Sequence, residues 1–302
     1  MKRIAILQRS DNRIDPKAVY PLFDTLSSLG CEICLPKSVY PVYSGHTGTM
    51  CGIGDDLSGE NIDFIFVLGG DGSIISAARK NAALKIPIVG INFGKLGYLA
   101  ELEVSELGLI EKIISGKCDI EERIMLDVSV IRGEEVLRTE YPALNDVVLS
   151  NGPVSKLLSF DLFANGVAAQ SMRSDGIVIS TPTGSTAYSM SAGGPVLDPC
   201  IRCIVATPIC PHTIGQRPVV FGCSAVLELR NMKCRGSNIY LTADGNEVIS
   251  LTENDTVRIS LSEYSARLVR VKNSTFLKVL HEKMSEKSRI VFSPVFSVNE
   301  AT

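Results

Sequence analysis

The sequence predicts an α/β domain followed by an all-β domain. In the first third of the chain, apolar strand-like runs alternate with helical runs, which is typical of a parallel sheet with helices on both faces. After about residue 119, short strand candidates separated by turn signals replace this alternation. We therefore predict a Rossmann-like parallel sheet in residues 1–118 and an all-β domain of sandwich or barrel type in residues 119–272. A C-terminal helix and tail in residues 273–302 are expected to pack on the first domain.

The elements of the first domain are read from apolar runs and from the residues that stop them. Asp15 followed by Pro16 marks a helix N-terminus, and Gly30 marks the end of that helix. The predicted strands are 4–7, 32–35, 63–68 and 86–91, and further helices are predicted at 74–82 and 104–115. Residues 39–59 are rich in Gly, Ser and Thr and have no period, so we expect a loop there, either a plain linker or a cover over a ligand.

The second domain is predicted from nine short strands and two hairpin signals. The dipeptides Asn165-Gly166 and Asp244-Gly245 favour two-residue turns, because both central positions of such turns need a positive φ. The strands are expected at 126–132, 136–141, 147–150, 160–164, 177–180, 204–207, 226–230, 239–243 and 256–261. The last helix is expected at about 274–287.

Composition and charge narrow the function classes. The chain has 302 residues, of which 45% are hydrophobic and 21% charged, as in a globular protein with well-filled cores. The net charge of −3 does not favour a nucleic-acid backbone or an anionic membrane as partner. No apolar run is long enough to span a bilayer, and the first residues enter a strand rather than a leader. We expect a soluble, cytoplasmic protein.

Nine cysteines are scattered along the chain, and their odd number argues against a disulfide framework. Two C-x-x-C pairs, Cys31/Cys34 and Cys200/Cys203, offer a metal or redox interpretation. Cys31 and Cys34 fall in a short strand, where residues three apart face opposite sides, and no His accompanies either pair. We therefore favour buried small side chains, and no metal ligand is assigned.

A glycine-rich turn, 68–73, lies between a predicted strand and a predicted helix. Its glycines let backbone N–H groups converge on an anion, and the helix N-terminus adds partial positive charge. Asp71 is the unusual residue, because a carboxylate among such donors repels phosphate unless it holds a metal or accepts a proton from an attacking hydroxyl. This combination points to phosphoryl transfer, although a Gly pair at a strand–helix turn is by itself also typical of a plain tight turn.

Two further segments carry polar groups suited to a nucleotide. Residues 174–195 are dense in Ser, Thr and Gly, and the predicted strand, turn and short helix there would expose N–H and hydroxyl groups to adenine or ribose. A surface loop rich in Ser and Thr is the alternative. Asn145 and Asp146 stand at the head of a predicted strand, where an amide beside a carboxylate can bind a vicinal diol, although the pair taken alone is typical of a turn.

In this order, the motifs resemble those of the NAD kinase family, over nearly the whole chain. The Gly-Gly-Asp-Gly element is shared with diacylglycerol and sphingosine kinases, but the Thr-Pro-Thr-Gly-Ser-Thr-Ala-Tyr block at 181–188 is far more particular to NAD kinases. The resemblance implies that ATP phosphorylates the adenosine ribose 2′-hydroxyl of NAD, with help from a divalent cation such as Mg²⁺. Asp71 would orient and deprotonate that hydroxyl, and Asp146 would hold ribose hydroxyls. The expected cofactor-binding residues are Gly69, Gly70, Gly72, Ser73, Asn145, Asp146, Asp175, Thr183, Ser185, Thr186, Ala187, Tyr188 and Ser191.

Three positions depart from the family pattern. Asp146 stands where Glu is usual, so its ribose contact needs a shifted backbone or a water. Lys95 stands where many bacterial members have His, and either a phosphate contact or a solvated side chain fits it. Ser73 replaces the commoner Thr and keeps the hydroxyl.

Two other functions stay open at this point. A lipid or other small-molecule kinase would share the Gly-Gly-Asp-Gly element, and a non-catalytic dinucleotide-binding module would share the second block. The partners expected are small nucleotides, with neither nucleic acid nor membrane, and the resemblance implies a homodimer or homotetramer formed through the β domain. The sequence leaves the preferred phosphate donor and the choice between NAD and NADH undecided.

Overall fold

A computed structural model describes residues 1–8, 14–43, 46, 50–94, 97–152, 157–213, 215–234, 238–272 and 276–288 of the chain, with side chains described as far as 285. The chain divides into two compact units after Val271. The described part of the second unit is one helix, Phe276–Ser288, close to the helix predicted at 274–287. That this helix packs on the first domain remains a prediction. None of the described helices combines the length and the apolar character that crossing a membrane requires.

The strands and helices of the first unit alternate as predicted in the first third of the chain and are mostly strands after that. The strands are β1 (Arg3–Gln8), β2 (Glu32–Pro36), β3 (Met50–Ile53), β4 (Phe64–Leu68), β5 (Ile88–Asn92), β6 (Leu102–Glu103), β7 (Asp119–Arg132), β8 (Glu135–Arg138), β9 (Asp146–Asn151), β10 (Leu158–Ala164), β11 (Val167–Ser174), β12 (Gly176–Ser180), β13 (Cys203–Ile209), β14 (Val219–Gly222), β15 (Leu227–Cys234), β16 (Ile239–Ala243), β17 (Glu247–Leu251) and β18 (Thr256–Arg270). The α-helices are α1 (Pro16–Ser28), α2 (Tyr40–Tyr43), α3 (Asp71–Asn81), α4 (Ile110–Ile114), α5 (Tyr188–Ser191) and, in the second unit, α6 (Phe276–Ser288). Short 3₁₀ helices cover Ala82–Leu84, Val104–Leu109 and Gly184–Thr186.

Strands β1 to β5 form the predicted parallel sheet, in the order β3-β2-β1-β4-β5. Every residue of β4 and β5 is buried, as expected for strands covered on both faces, and burial decreases toward the edge strand β3. Helix α1 packs its apolar face, including Phe23 and Leu26, on one side of this sheet. Helix α3 packs Ile74, Ala77 and Ala78 on the other side. The carboxyl ends of β1 and β4 therefore meet beside the start of α3, where ligands of such sheets bind.

The antiparallel strands form two packed layers. Six strands make one sheet, in the order β14-β13-β12-β9-β16-β17. This sheet buries its inner face against β7, β10, β15 and β18 in a single apolar cluster that includes Leu149, Phe160 and Ile259. The result is the predicted sandwich. The parallel sheet also continues into this region, because Leu268 of β18 pairs with Ile88 of β5, so one described sheet of 12 strands runs across residue 118.

Several local predictions are confirmed. The Asp15 side chain caps α1 by accepting a hydrogen bond from Lys17 N, and Gly30 follows the helix end with a φ of +69°. Both hairpin dipeptides have positive φ at both positions, at 165–166 between β10 and β11 and at 244–245 between β16 and β17. Turn chemistry was therefore readable directly from the sequence.

The loop predicted at 39–59 is wrong in part. Residues Tyr40–Tyr43 form α2, and Met50–Ile53 form β3, which pairs in parallel with β2 from Ile33 to Pro36. A four-residue strand is too short to show a period, and its pairing with β2 decides its conformation. The strands β11, β14 and β17 were missed for a related reason. Each lies at an edge of its sheet, and most of its side chains are exposed or half-buried.

Two predicted helices are broken. The segment 104–115 consists of a 3₁₀ helix followed by α4, with a non-helical φ of −110° at Glu106. The side chain of Glu106 bonds back to Glu103 N in a capping box, which marks the start of the 3₁₀ helix. The helix predicted at 185–192 is divided at Ala187, whose ψ of −127° separates Gly184–Thr186 from α5.

Candidate active site

The glycine-rich turn joins β4 to α3 at the carboxyl end of the parallel sheet. Gly69 has a φ of +144°, which a side chain would oppose, and Gly70 is the N-cap residue of α3. The helix begins at Asp71, three residues earlier than predicted, because the first turn needs no N–H partners and favours an acidic residue. Gly72 is exposed, whereas Ser73 is buried against the sheet. Asp71 therefore lies in the first turn of a helix, not in the loop before it.

The Asp71 carboxylate is held in place by the backbone of a second loop. Tyr98 N donates to Oδ2 at 2.8 Å, and Leu99 N donates to Oδ1 at 3.0 Å. Gly97 lies so close that a Cβ there would be 1.9 Å from Asp71 Oδ1. The side chain is half-buried, so it keeps a face toward solvent. No feature singled out in the sequence analysis indicated this role of Gly97. Lys95, left open between a phosphate contact and a solvated side chain, lies outside the described residues.

A cleft of about 630 Å³ opens beside α3 and the ends of β1 and β4. This volume falls in the range of small-molecule sites. Polar side chains contributed by α3, by the loop that precedes β4 and by two β-region segments line it, namely Ser73, Ser76, Lys80, Asp55, Asp56, Tyr141 and Asn246. Ser73 thus belongs both to the glycine-rich motif and to the cleft wall, whereas Asp71 is not among the residues that line the cleft.

Asn145 and Asp146 lie where the sequence predicted them, at the head of β9. Asp146 is 7% exposed. Burial, and after it the nearby Asp244 carboxylate, raise the pKa of Asp146 to about 7. This carboxyl can therefore be either charged or neutral near physiological pH.

Asp244 organises the backbone around that pair. Its carboxylate accepts hydrogen bonds from Leu144 N and Asn145 N, both at 2.7 Å, and from Asp146 N at 3.0 Å. Burial raises the pKa of Asp244, and the three N–H donors together with Arg79 offset part of that rise. The sequence identified Asp244 only as a turn residue, and nothing in the dipeptide signals this second role.

The Thr-Pro-Thr-Gly turn packs directly on Asn145. Thr181 N donates to Asn145 O at 2.9 Å, and Thr181 Oγ1 donates to Leu144 O at 2.6 Å. A Cβ at Gly184 would lie 2.0 Å from Asn145 O, so only glycine fits there. The structure therefore brings together two motifs that are more than 30 residues apart in the sequence.

Two of the predicted binding residues in the 181–191 block, Thr183 and Ser185, are buried. Ser185 is fully buried, and its hydroxyl donates to Pro182 O at 2.6 Å and accepts from Leu197 N at 3.0 Å. These two bonds hold the turn together, and the predicted contact of Ser185 with a ligand remains a prediction. Thr183 is also buried, and its hydroxyl accepts from Arg123 at 3.2 Å. The remaining predicted residues of the block are half-buried or exposed, namely Thr186, Ala187, Tyr188 and Ser191.

Asp175 lies at the other end of a strand from the Thr-Pro-Thr-Gly turn. It precedes β12, whereas Thr181 follows the same five-residue strand. Six residues of extended chain separate the two positions by roughly 20 Å. That Asp175 contacts the dinucleotide remains a prediction.

One cluster of metal-binding residue types occurs among the described residues, and it lies on β2 and β3, not at the glycine-rich turn. It consists of Glu32, Cys34 and Cys51. Arg3 already pairs with the Glu32 carboxylate at 2.8 Å and therefore compensates its charge. Burial raises the pKa of the Cys34 thiol to about 12, which disfavours a thiolate ligand. Cys34 contacts Cys51, while its predicted C-x-x-C partner Cys31 is buried separately.

Comparison with known proteins gives a consistent result. The family model described as the ATP-NAD kinase N-terminal domain matches residues 32–118, and the ATP-NAD kinase C-terminal domain matches 144–271. The chain is 37% identical to an NAD kinase of Natranaerobius thermophilus over 251 residues, which are 81% of this chain and 87% of that protein. It is 34% identical to an NAD kinase of Trichlorobacter lovleyi over 285 residues, which are 94% and 98% of the two chains.

Solved structures of similar fold also include NAD and NADH kinases. A yeast NADH kinase crystallised with NADH superimposes with a TM-score of 0.81 at 21% identity, over 99% of this chain and 90% of that one. An Archaeoglobus fulgidus NAD kinase in complex with ATP gives a TM-score of 0.70 at 26% identity, over 94% and 98%. The predicted fold class is confirmed. From its sequence relatives, its matched domains and its motifs, the chain belongs to the NAD kinase family of phosphotransferases.

Proposed function

We propose that this chain transfers the terminal phosphate of ATP to the adenosine ribose 2′-hydroxyl of NAD with Asp71 as the group that orients and deprotonates that hydroxyl. The observation that carries the residue assignment is the position of the Asp71 carboxylate. It stands in the first turn of α3, is fixed by Tyr98 N and Leu99 N, and stays half-exposed. A carboxylate fixed by two N–H donors has lost much of its rotamer freedom before the substrate arrives.

Asp71 retains acceptor capacity for a hydroxyl. An ionised carboxylate offers about four lone-pair sites, of which the two backbone N–H groups use one on each oxygen. A ribose hydroxyl that donates to a remaining site is aligned for attack on phosphorus, and its proton passes to the carboxylate. General-base assistance of this kind contributes about 10²- to 10⁴-fold to a rate.

A divalent cation such as Mg²⁺ would have few protein ligands at the glycine-rich turn. Among the described residues, no group of three His, Cys, Asp or Glu side chains converges at Asp71. Mg²⁺ at nucleotide sites is commonly held by one or two carboxylates and by substrate phosphates, so Asp71 together with the phosphates is a sufficient donor set. When bound, the cation neutralises the charge of the migrating phosphoryl group.

We place the phosphate donor in the cleft beside α3. Ser73 and Ser76 line it with hydroxyl groups, and Lys80 supplies positive charge. Gly69, Gly70 and Gly72 leave the approach to the helix N-terminus free of side chains, where backbone N–H groups favour phosphate. Asp55 and Asp56 also face the cleft, and their charge favours a donor that arrives with its cation.

The acceptor nucleotide is assigned to the neighbouring surface formed by Asn145, Asp146 and the 181–191 block. Asp146 and Asn145 offer a carboxyl and an amide for the vicinal hydroxyls of a ribose. Leu144 belongs to the same buried cluster as Ile74 and Leu99, so these motifs are built on the core that also supports the Asp71 turn. Thr186, Ala187, Tyr188 and Ser191 complete this surface in the proposal.

The cellular setting and the assembly are also proposed. All nine cysteines are free thiols, as is usual in a reducing cytoplasm. Val220 and Val248 are at least half exposed, and they lie on β14 and β17, the two edges of the six-stranded sheet. We propose a homo-oligomer, dimeric or tetrameric, formed through the β region, and a second copy would then bring its own Asp175 toward the nucleotide surface.

The assay is direct. Purified protein is incubated with NAD, ATP and Mg²⁺, and NADP is measured with an NADP-specific dehydrogenase. Parallel reactions replace NAD with NADH or with diacylglycerol, and replace ATP with polyphosphate. NADP formation supports the proposal, whereas phosphorylation of the lipid alone would favour the lipid kinase. Binding of NAD without turnover under all donors would identify a non-catalytic module.

A further inference from the structure

We infer that Arg79 and Asp244 are positioning residues that hold the proposed ribose-binding pair Asn145–Asp146 at a fixed position relative to Asp71. This inference rests on the proposed function and adds two residues that the sequence analysis did not assign to the site. Arg79 is on α3, the helix that begins with Asp71. Asp244 is in the β16–β17 hairpin, in the opposite part of the sequence.

Arg79 makes a buried multipoint contact with the β region. Its side chain is 4% exposed, and Nε lies 3.2 Å from Asp244 Oδ2 and donates to Pro142 O at 3.0 Å. Its NH2 group donates to Glu247 Oε1 at 2.8 Å and to Tyr141 O at 3.3 Å. Every one of these partners lies either in the hairpin or in the segment that leads directly into Asn145.

Asp244 links Arg79 to the ribose-binding pair, because it contacts Arg79 and also accepts hydrogen bonds from the backbone of the pair. Its side chain is 1% exposed, and its two oxygens accept from the consecutive amides of Leu144, Asn145 and Asp146. The Asp244 amide in turn donates to Asp146 O at 2.9 Å. The conformation of the pair is thus defined by Asp244, and the location of Asp244 is defined by Arg79.

Helix α3 connects the two ends of this arrangement. Asp71 and Arg79 are eight residues apart on one continuous helix, a distance of about 12 Å along its axis. A helix of this length moves as a unit, so the Arg79 contact fixes where the Asp71 end stands relative to β9. The multipoint geometry suits an arginine, because a lysine ammonium cannot present the same planar set of donors. Buried ionic contacts of this kind often add little net stability but can specify geometry.

The test uses the full-length protein and separates alignment from folding. The variants are Arg79→Met, Arg79→Lys, Asp244→Asn and the double variant R79M/D244N. Arg267→Met is the control, because Arg267 also donates to a backbone carbonyl close to α3, that of Lys85, while its ion-pair partner is Glu122, which is not a site residue. A thermal unfolding curve is recorded for each protein. The values of kcat, the KM for NAD and the KM for ATP are then measured at a temperature where that curve shows negligible unfolding.

We expect Arg79→Met to lose about tenfold to a hundredfold in kcat/KM for NAD, as misalignment of about an ångström does, while the KM for ATP changes little. Arg79→Lys is expected to recover part of the loss. The double variant should be no worse than the worse single variant, because both changes break one contact. Arg267→Met should behave as wild type.

Three results would overturn the inference while wild-type protein still makes NADP: wild-type kinetics in folded Arg79→Met, a fall in kcat that only follows the folded fraction with both KM values unchanged, or fully additive losses in the double variant. A wild-type protein that makes no NADP would instead overturn the proposed function. The two failures are therefore distinguishable in one experiment.

Discussion

Two carboxylates of the candidate site, Asp71 and Asp146, stand in opposite environments. Asp71 is half-buried at a helix N-terminus and accepts two backbone N–H groups. Asp146 is 7% exposed at the head of a strand, near a second buried carboxylate, and its pKa is raised to about 7. The first environment keeps an acceptor oriented, and the second favours the protonated form of the carboxyl. A motif alone therefore does not assign a role to its carboxylate, because the role also depends on burial and on hydrogen-bond partners.

The largest effect in this comparison is expected for Asp71→Asn. The amide keeps the size of the side chain but cannot take a proton, so kcat should fall by about 10²- to 10⁴-fold while the dissociation constant for NAD changes little. Steady-state kinetics and calorimetric titration with NAD measure the two quantities. Asp119→Asn, an exposed change at the start of β7, is the control. Unchanged turnover would remove Asp71 from its assigned role.

A second variant moves the same carboxylate without altering it. In Gly97→Ala the new Cβ would stand 1.9 Å from Asp71 Oδ1, so either the carboxylate or the 97–99 loop must shift. We expect kcat to fall by about tenfold to a hundredfold. Gly108→Ala is a matched control, since no atom lies within 4 Å of a Cβ at that position. Equal kinetics of the two alanine variants would show that the Gly97 contact does not orient Asp71.

The raised pKa of Asp146 should make the free energy of unfolding depend on pH. The pKa of Asp146 is raised from 3.8 to about 7 on folding, so the folded protein binds the proton more tightly than the unfolded chain does. The stabilisation is therefore full below pH 4 and is lost as pH rises to about 7. Relative to Asp146→Asn, the wild type should lose stability over that window and stay level above it. Denaturant unfolding at several pH values measures this, and parallel curves for both proteins would contradict the raised pKa.

The same titration should appear in binding. An ionised carboxylate accepts hydroxyl hydrogens from both ribose oxygens, so the KM for NAD is expected to fall as pH rises through about 7. In Asp146→Asn this step should be absent. Since ATP is assigned to the cleft beside α3, its KM provides the internal control. A step that persists in the variant would locate the titrating group elsewhere.

The smallest effect separates scaffold from surface within the 181–191 block. Ser185→Ala removes a buried hydroxyl that makes two hydrogen bonds, so it should cost about 1–3 kcal/mol of unfolding free energy and leave the KM for NAD unchanged in folded protein. Ser191→Ala removes an exposed hydroxyl and should leave stability unchanged. A raised KM for NAD in Ser185→Ala would support the ligand contact that the sequence predicted for it.

The sequence predicted helix caps and hairpin turns correctly where these depend on neighbouring residues. The cap at Asp15 and the hairpin turns at Asn165 and Asp244 depend on residues within a few positions of each other. The edge strand β3 could not be predicted, because its four residues take their conformation from pairing with β2.

The same limit applies to the site. The sequence identified Asp71, Asn145 and Asp146 from short motifs and their order. It could not identify Arg79 or the second role of Asp244, since their contact joins positions 165 residues apart and neither lies in a motif for it. Nor could it separate Ser185 from Ser191, because burial inside a polar block depends on how that block folds.

The assignment of Asp71 is tested by a crystal structure of the protein with NAD bound, in which one distance decides. We predict a hydrogen bond of about 2.5–3.0 Å between an Asp71 carboxylate oxygen and the 2′-oxygen of the adenosine ribose. A carboxylate that keeps its bonds to Tyr98 N and Leu99 N while the 2′-oxygen lies beyond reach of both the carboxylate and a bridging water would contradict this prediction.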